Sequence, residues 1–119
     1  MSLAVIDRND VVLRGRLSAP PELRTLPSGD TLLLLKLVVR RQDPPPRGPK
    51  ADVITCVSLR PAVQRHATAW TTDDVVEVEG ALQRRFWRTA TGTAVAYEVD
   101  CRRGRRIFRT GPRTAPRTA

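Results

Sequence analysis

Residues 9–41, NDVVLRGRLSAPPELRTLPSGDTLLLLKLVVRR, constrain the fold more than any other stretch of this chain. Val11, Leu13, Gly15 and Leu17 fall on one face of an extended segment, while Val12, Arg14 and Arg16 fall on the other. Side chains alternate across a β-strand with period 2, so this segment is apolar inside and basic outside. A short return strand follows, then a Pro27-Ser28-Gly29 turn, then a second long strand that ends in Arg40 and Arg41. A sheet whose wet face carries cations suits an anionic polymer.

Length and charge narrow the reading. At 119 residues the chain can bury one small core and is too short for two. It holds no apolar run of the ~18 residues a membrane span needs, so no membrane partner is expected. The opening MSLAVIDRND lacks the basic and then apolar pattern of a secretory signal, which points to the cytoplasm. Cys56 and Cys101 lie far apart and outside any Cys-x-x-Cys spacing, and read as reduced, buried small hydrophobes. Net charge is +9, from 21 basic and 12 acidic side chains. It is unevenly placed: residues 101–119 carry seven arginines and no acid, leaving a net of +2 on residues 1–100. A strongly basic small domain is the electrostatic footprint of a nucleic-acid partner.

Further along, Gln42 to Ala51, QDPPPRGPKA, is a loop, because prolines at that density exclude a strand interior. A third strand is expected over Asp52–Leu59. Pro61 suits the first turn of a short helix over Ala62–Ala69. Asp73 to Trp87 is the longest expected strand, with Val76, Val78, Gly80 and Leu82 inward and Glu77, Glu79, Gln83 and Arg85 outward. TATGT at 89–93 makes a hairpin turn, and Ala94–Cys101 closes the set as a fifth strand. The chain divides into residues 1–109, one domain, and residues 110–119, a basic Pro/Arg/Thr/Ala tail expected to be mobile. The expected class is all-β: a five-stranded OB-type barrel with one short helix between strands 3 and 4. Gly15 and Gly80 sit where strongly bent barrel strands must coil.

These residues resemble the bacterial single-stranded DNA-binding protein family. The resemblance is carried by Asn9-Asp10-Val11-Val12-Leu13-Arg14-Gly15-Arg16-Leu17, by Pro21-Glu22-Leu23-Arg24 with Pro27-Ser28-Gly29, and by the Asp52–Leu59 segment. It continues through Val76-Glu77-Val78-Glu79-Gly80-Ala81-Leu82 into Arg85-Phe86-Trp87, and ends at Tyr97-Glu98-Val99. It covers about residues 9–103 in the family's order. It implies an OB-fold that assembles as a homotetramer or dimer and coats exposed single strands in replication, repair and recombination, with replication and repair proteins as partners. Two features depart from the family. Ala51 and Val57 stand at third-strand positions where members usually carry stacking aromatics, so only Trp87 matches a stacking position. The family typically finishes in a flexible acidic tail, whereas this sequence finishes in a basic one.

The residues expected to bind nucleic acid are Arg14, Arg16, Lys36, Arg40, Arg41, Lys50, Arg85 and Trp87. The basic end of the second long strand supplies a phosphate track, and Trp87, sharing the parity of Arg85, supplies a stacking platform. Phe86 has the opposite parity and is expected to cover the barrel rim or an interface. Tyr97 is open between rim packing and base contact, and Phe108 between stacking a base and docking the chain end. Trp70 reads as a core cap. Leu32 and Leu34, on an outer face, point to contact between copies.

Catalysis finds little support. His66 is the sole histidine, no Ser-His-Asp or Cys-His set can be assembled without it, and Asp73-Asp74 read as a turn. No zinc spacing, Walker loop or dinucleotide loop is present in the sequence, so no metal or cofactor is expected. The leading reading is a non-enzymatic protein that binds single-stranded DNA largely independently of sequence. A replication-restart OB adaptor, an interaction module that has lost strong DNA binding, and an RNA-binding OB protein stay open.

Overall fold

The computed structural model describes residues 6–110. The stretch 111–119, nearly all of the basic tail set apart above, lies outside the described residues. Among the described residues, six β-strands and one helix follow in the order β1 Val11–Leu17, β2 Glu22–Thr25, β3 Thr31–Arg40, β4 Ala51–Ser58, α1 Pro61–Ala67, β5 Val75–Thr89 and β6 Gly92–Phe108. β5 pairs with both β1 and β6 antiparallel, β6 runs parallel to β4, and β4 pairs antiparallel with β3. β3 meets β1 at Arg16↔Val38 and Leu17↔Leu37, which closes a five-stranded barrel. β2 lies on the same edge of β3 further along, pairing Glu22–Thr25 with Thr31–Leu34, and adds a sixth strand outside the closure. The expected barrel with its single helix is the observed one.

The alternation in the sequence builds the core. Leu17, Leu33, Leu35, Leu37, Val76, Val78 and Val99 are buried, with Cys56 and Cys101 between them as free thiols. Burial of these aliphatic side chains at ~25 cal/mol per Å² is the main driving force for closure. The neighbouring Cys101 thiol, together with burial, pushes the Cys56 thiol up in pKa, so Cys56 stays protonated and unreactive. Pro61 opens α1 as expected, and the helix places Val63 and Ala67 against one end of the barrel. Trp70 is buried and caps that end. A Cβ on Gly104 would lie 2.9 Å from Trp70 Cη2, so only glycine lets the indole seat there.

Two expectations change. The last strand does not stop at Cys101; β6 continues to Phe108, so Arg102, Arg103, Arg105 and Arg106 belong to the sheet. A bulge between Glu79 and Gly80 places Glu79 opposite Arg103 and Gly80 opposite Cys101, leaving Arg102 as the extra residue. Leu82 is not a core residue: it stands 47 % exposed, because beyond Gly80 the β5–β6 pair leaves the barrel as a two-stranded arm. Leu32 and Leu34 are half-buried on the other face of β3, each opposite a β2 residue, Arg24 and Glu22 respectively.

Candidate nucleic-acid interface

Register sets what gathers at each end of the barrel. β1 runs antiparallel to β3 and β5, so its start at Val11 lies at the same end as Arg40, Ala51 and Gly80. The proline-rich loop at 41–50 and the β5–β6 arm both rise from that end. The Asn9 side-chain amide extends the ladder there: its Nδ2 donates to Leu82 O at 2.7 Å, and its Oδ1 accepts from Leu82 N at 2.8 Å.

β1 and β3 share only two register pairs and then splay. The gap is a groove of about 700 Å³ lined by Arg14, Arg16, Arg40, Gln42 and Lys50, with Val12, Val38 and Ala51 among its apolar walls. Gly15 lies beneath it, and a Cβ there would stand 2.4 Å from Val38 O. Four of the eight expected binding residues thus line one concavity.

The cations differ in availability. Arg14 Nη2 meets Glu77 Oε2 at 3.0 Å, and Arg16 Nη1 meets Asp73 Oδ1 at 3.3 Å. Both arginine side chains are more than half exposed, and surface pairs of this kind are worth only about 0–1 kcal/mol, so a phosphate can compete for these guanidinium groups. Glu77 also accepts from Arg105 Nη2 at 3.1 Å, and Arg105 and Arg14 together hold its carboxyl below the ordinary range. Lys36, Arg40 and Lys50 make no ion pair among the described residues. Lys36 is exposed opposite Thr55 on the outer β3–β4 face and does not line the groove. Arg41 is engaged elsewhere: its Nε and Nη2 bind the two oxygens of Asp52 at 2.9 and 2.8 Å, pinning the neck of the 41–50 loop.

The arm carries the remaining two expected residues. The Arg85 guanidinium lies over the Trp87 ring, 4.6 Å from its centroid, and Trp87 is 42 % exposed. Glu98, only 5 % exposed, accepts from Arg85 Nε at 3.2 Å and from Gln83 Nε2 at 3.0 Å, fixing this face of the arm. A flat indole steadied by a cation is a surface on which a base can stack. Of the positions named for missing aromatics, Ala51 borders the groove and Val57 is buried.

Sequence reasoning missed Gln42, Glu98 and Arg84. The signal for Arg84 was present: Arg84-x-Phe86 and Arg85-x-Trp87 interleave on alternate faces of one strand, and Arg84 lies 5.4 Å from the Phe86 centroid. Phe86 and Tyr97, at 61 and 63 % exposed, do not cover the barrel rim. Phe108 is exposed at the end of β6. His66 is exposed on α1, and among the described residues no group of three or more His, Cys, Asp or Glu side chains is placed to hold a metal ion. No described helix is long and apolar enough to cross a membrane.

The chain is similar to known proteins. The chain is 36 % identical over 95 residues to single-stranded DNA-binding protein 1 of Staphylococcus aureus (strain COL), covering 78 % of this chain and 57 % of that protein. It is 35 % identical over 88 residues to single-stranded DNA-binding protein A of Bacillus subtilis (strain 168), covering 73 % of this chain and 51 % of that one. The chain therefore spans little more than half the length of these relatives. In three dimensions it superposes on a Plasmodium falciparum SSB, solved in complex with ssDNA, at a TM-score of 0.72 and 20 % identity. That match covers 89 % of this chain and 98 % of the other, and it establishes the shared barrel fold. The model of the Single-strand binding protein family matches residues 8–106, and the chain belongs to that family.

Proposed function

We propose that this protein binds single-stranded DNA largely without regard to sequence, seating the phosphates in the groove between β1 and β3 and stacking bases on the arm. The observation that carries the reading is the placement of the two parts at one end of the barrel. A groove lined by Arg14, Arg16, Arg40 and Lys50 opens where the arm that bears Trp87 rises. Phosphates carry no sequence code and every base has a π-face, so neither part reads sequence. The names of the bacterial relatives, single-stranded DNA-binding proteins, support the same ligand. The role is binding, without catalysis, in the protection of single strands during replication, repair or recombination. Lys36 and Arg41 have weaker support as binding residues, one lying outside the groove and the other held by Asp52. Assembly as a homo-oligomer belongs to the same proposal, and sedimentation of the free protein measures it.

The test is fluorescence anisotropy with labelled oligo(dT), competed by unlabelled duplex of equal length and by oligo(rU), over a salt series. The expected result is a preference for oligo(dT) over duplex that persists at moderate salt. Equal competition by duplex, vanishing as salt rises, would reduce the surface to a generic basic patch and overturn the reading. Preference for oligo(rU) would transfer it to RNA.

A further inference from the structure

The arm has two sides, and only one of them holds Trp87. Cross-strand partners share a face, so the pairs Arg84↔Tyr97 and Phe86↔Val95 place these four side chains together on the side opposite Trp87 and Glu98. Arg84 lies over Phe86 as Arg85 lies over Trp87, which repeats on the back of the arm the cation-on-ring device of its front. Phe86, Val95 and Tyr97 are each at least half exposed, and no described residue covers them. An isolated apolar residue at a surface needs no explanation, but three on one narrow face with two rings among them do.

Charge selects the occupant. Residues 82–97 contain Arg84, Arg85 and Arg88 and no acidic side chain. Two copies meeting arm to arm would bring like charges together, whereas a polyanion meets rings and cations of the right kind on both sides. We propose that the Phe86–Tyr97 face is a second base-stacking platform, so that one single strand passes over the front of the arm at Trp87 and continues onto its back. This rests on the single-strand reading above and adds to it a longer occluded site than the groove and Trp87 alone provide. Base–aromatic stacking of about 1–3 kcal/mol per base corresponds to about 5- to 150-fold in affinity for each base held there.

The test compares the full chain with a Phe86→Ala/Tyr97→Ala variant, whose substitutions are at exposed positions and whose fold is checked by thermal melting. Oligo(dT) of increasing length is titrated to obtain affinity and the number of nucleotides occluded. The expected result is an unchanged affinity for the shortest oligomers that bind, a loss of about 5- to 150-fold for long ones, and a smaller occluded site. A second variant, Trp87→Phe/Phe86→Trp, moves the exposed indole to the back face, and long oligo(dT) is expected to quench it. If the unsubstituted chain binds while the alanine variant matches it at every length and the relocated indole is not quenched, the second platform is overturned and the single-strand reading stands. If the alanine variant binds DNA normally but sediments at lower mass, the face joins copies of the chain and the proposal is likewise overturned. If the unsubstituted chain binds no single strand at all, both readings fall.

Discussion

Arg85 stands 4.6 Å from the centroid of the Trp87 ring, two residues before it on the same face of β5. The arginine is itself held by the buried Glu98, so the indole is presented flat and steady. Replacing Trp87 by alanine is expected to weaken oligo(dT) binding by about 1–3 kcal/mol for the stacked base. The change should abolish fluorescence quenching by DNA while leaving the salt dependence untouched, because the ring carries no charge. Anisotropy and emission titrations on the same samples check both parts, and retained quenching would remove Trp87 from the interface.

The groove makes the complementary prediction. Arg40 and Lys50 line it without an ion-pair partner among the described residues, so they are the cations most available to phosphates. For single strands, log K falls with log salt by about 0.7 per neutralised phosphate. An Arg40→Ala/Lys50→Ala variant should therefore flatten the slope by about 1.4 if each side chain meets one phosphate. Arg41→Ala should flatten it less, since Asp52 already takes the Arg41 guanidinium. Slopes measured at four or five salt concentrations separate the two variants, and equal slopes would contradict the placement of the phosphates.

Much of this was legible in the chain because period 2 survives wherever a strand has one wet face. The Val11–Leu17 alternation gave the correct inward set. The end of β6 was hidden for a physical reason. Its inward positions after Cys101 are Gly104, beneath Trp70, and Arg106, which reaches Ala69 O and Asp74, so no apolar alternation marks the strand. The extra residue at Arg102 also reverses the parity. The arm was legible in its residues but not in its setting. Leu82 keeps the parity of the core while standing beyond the last pair that β1 can offer, and strand length relative to the barrel is not written in alternation. The groove had a weaker signal still, since it depends on where β1 and β3 part.

The close approach at the bulge yields a stability prediction. A Cβ on Gly80 would stand 1.9 Å from Asp100 O, a backbone atom fixed between β4 and β5. Gly80→Ala must displace the β6 backbone itself, and is expected to destabilise the barrel by about 3 kcal/mol or more, at the upper end of overpacking effects. Gly29 offers the contrast. It has φ of 93° in the β2–β3 turn and open space around its Cα, so Gly29→Ala meets only the left-handed backbone penalty of about 1–2 kcal/mol. Urea denaturation of the two variants is expected to rank them in that order; a Gly80→Ala protein as stable as the parent would exclude so close an approach of β6 to β5.

Asp74 gives the chain a pH dependence. Its side chain is fully buried at the foot of β5, where burial favours the neutral acid. That tendency is outweighed by the backbone N–H groups of Thr71 and Thr110, each 2.9 Å from a carboxylate oxygen, and by Arg106 Nη1 at 3.5 Å, so the carboxyl titrates below its ordinary value. A carboxyl whose pKa is lower folded than unfolded contributes stability at pH above the unfolded value, about 3.9, and the contribution is lost as pH falls through the folded value. Urea midpoints of the parent should therefore decline on acidification below about pH 5. Asp74→Asn should lose about 1–3 kcal/mol at neutral pH, because it weakens the acceptor for two backbone donors and leaves Arg106 without a counter-charge there. Its midpoints should also fall less steeply in acid than those of the parent, since the group that titrates is gone. Parallel acid limbs for the two proteins would assign the acid sensitivity to the other ion-paired carboxylates instead, Glu77 beside Arg105 and Arg14 first among them.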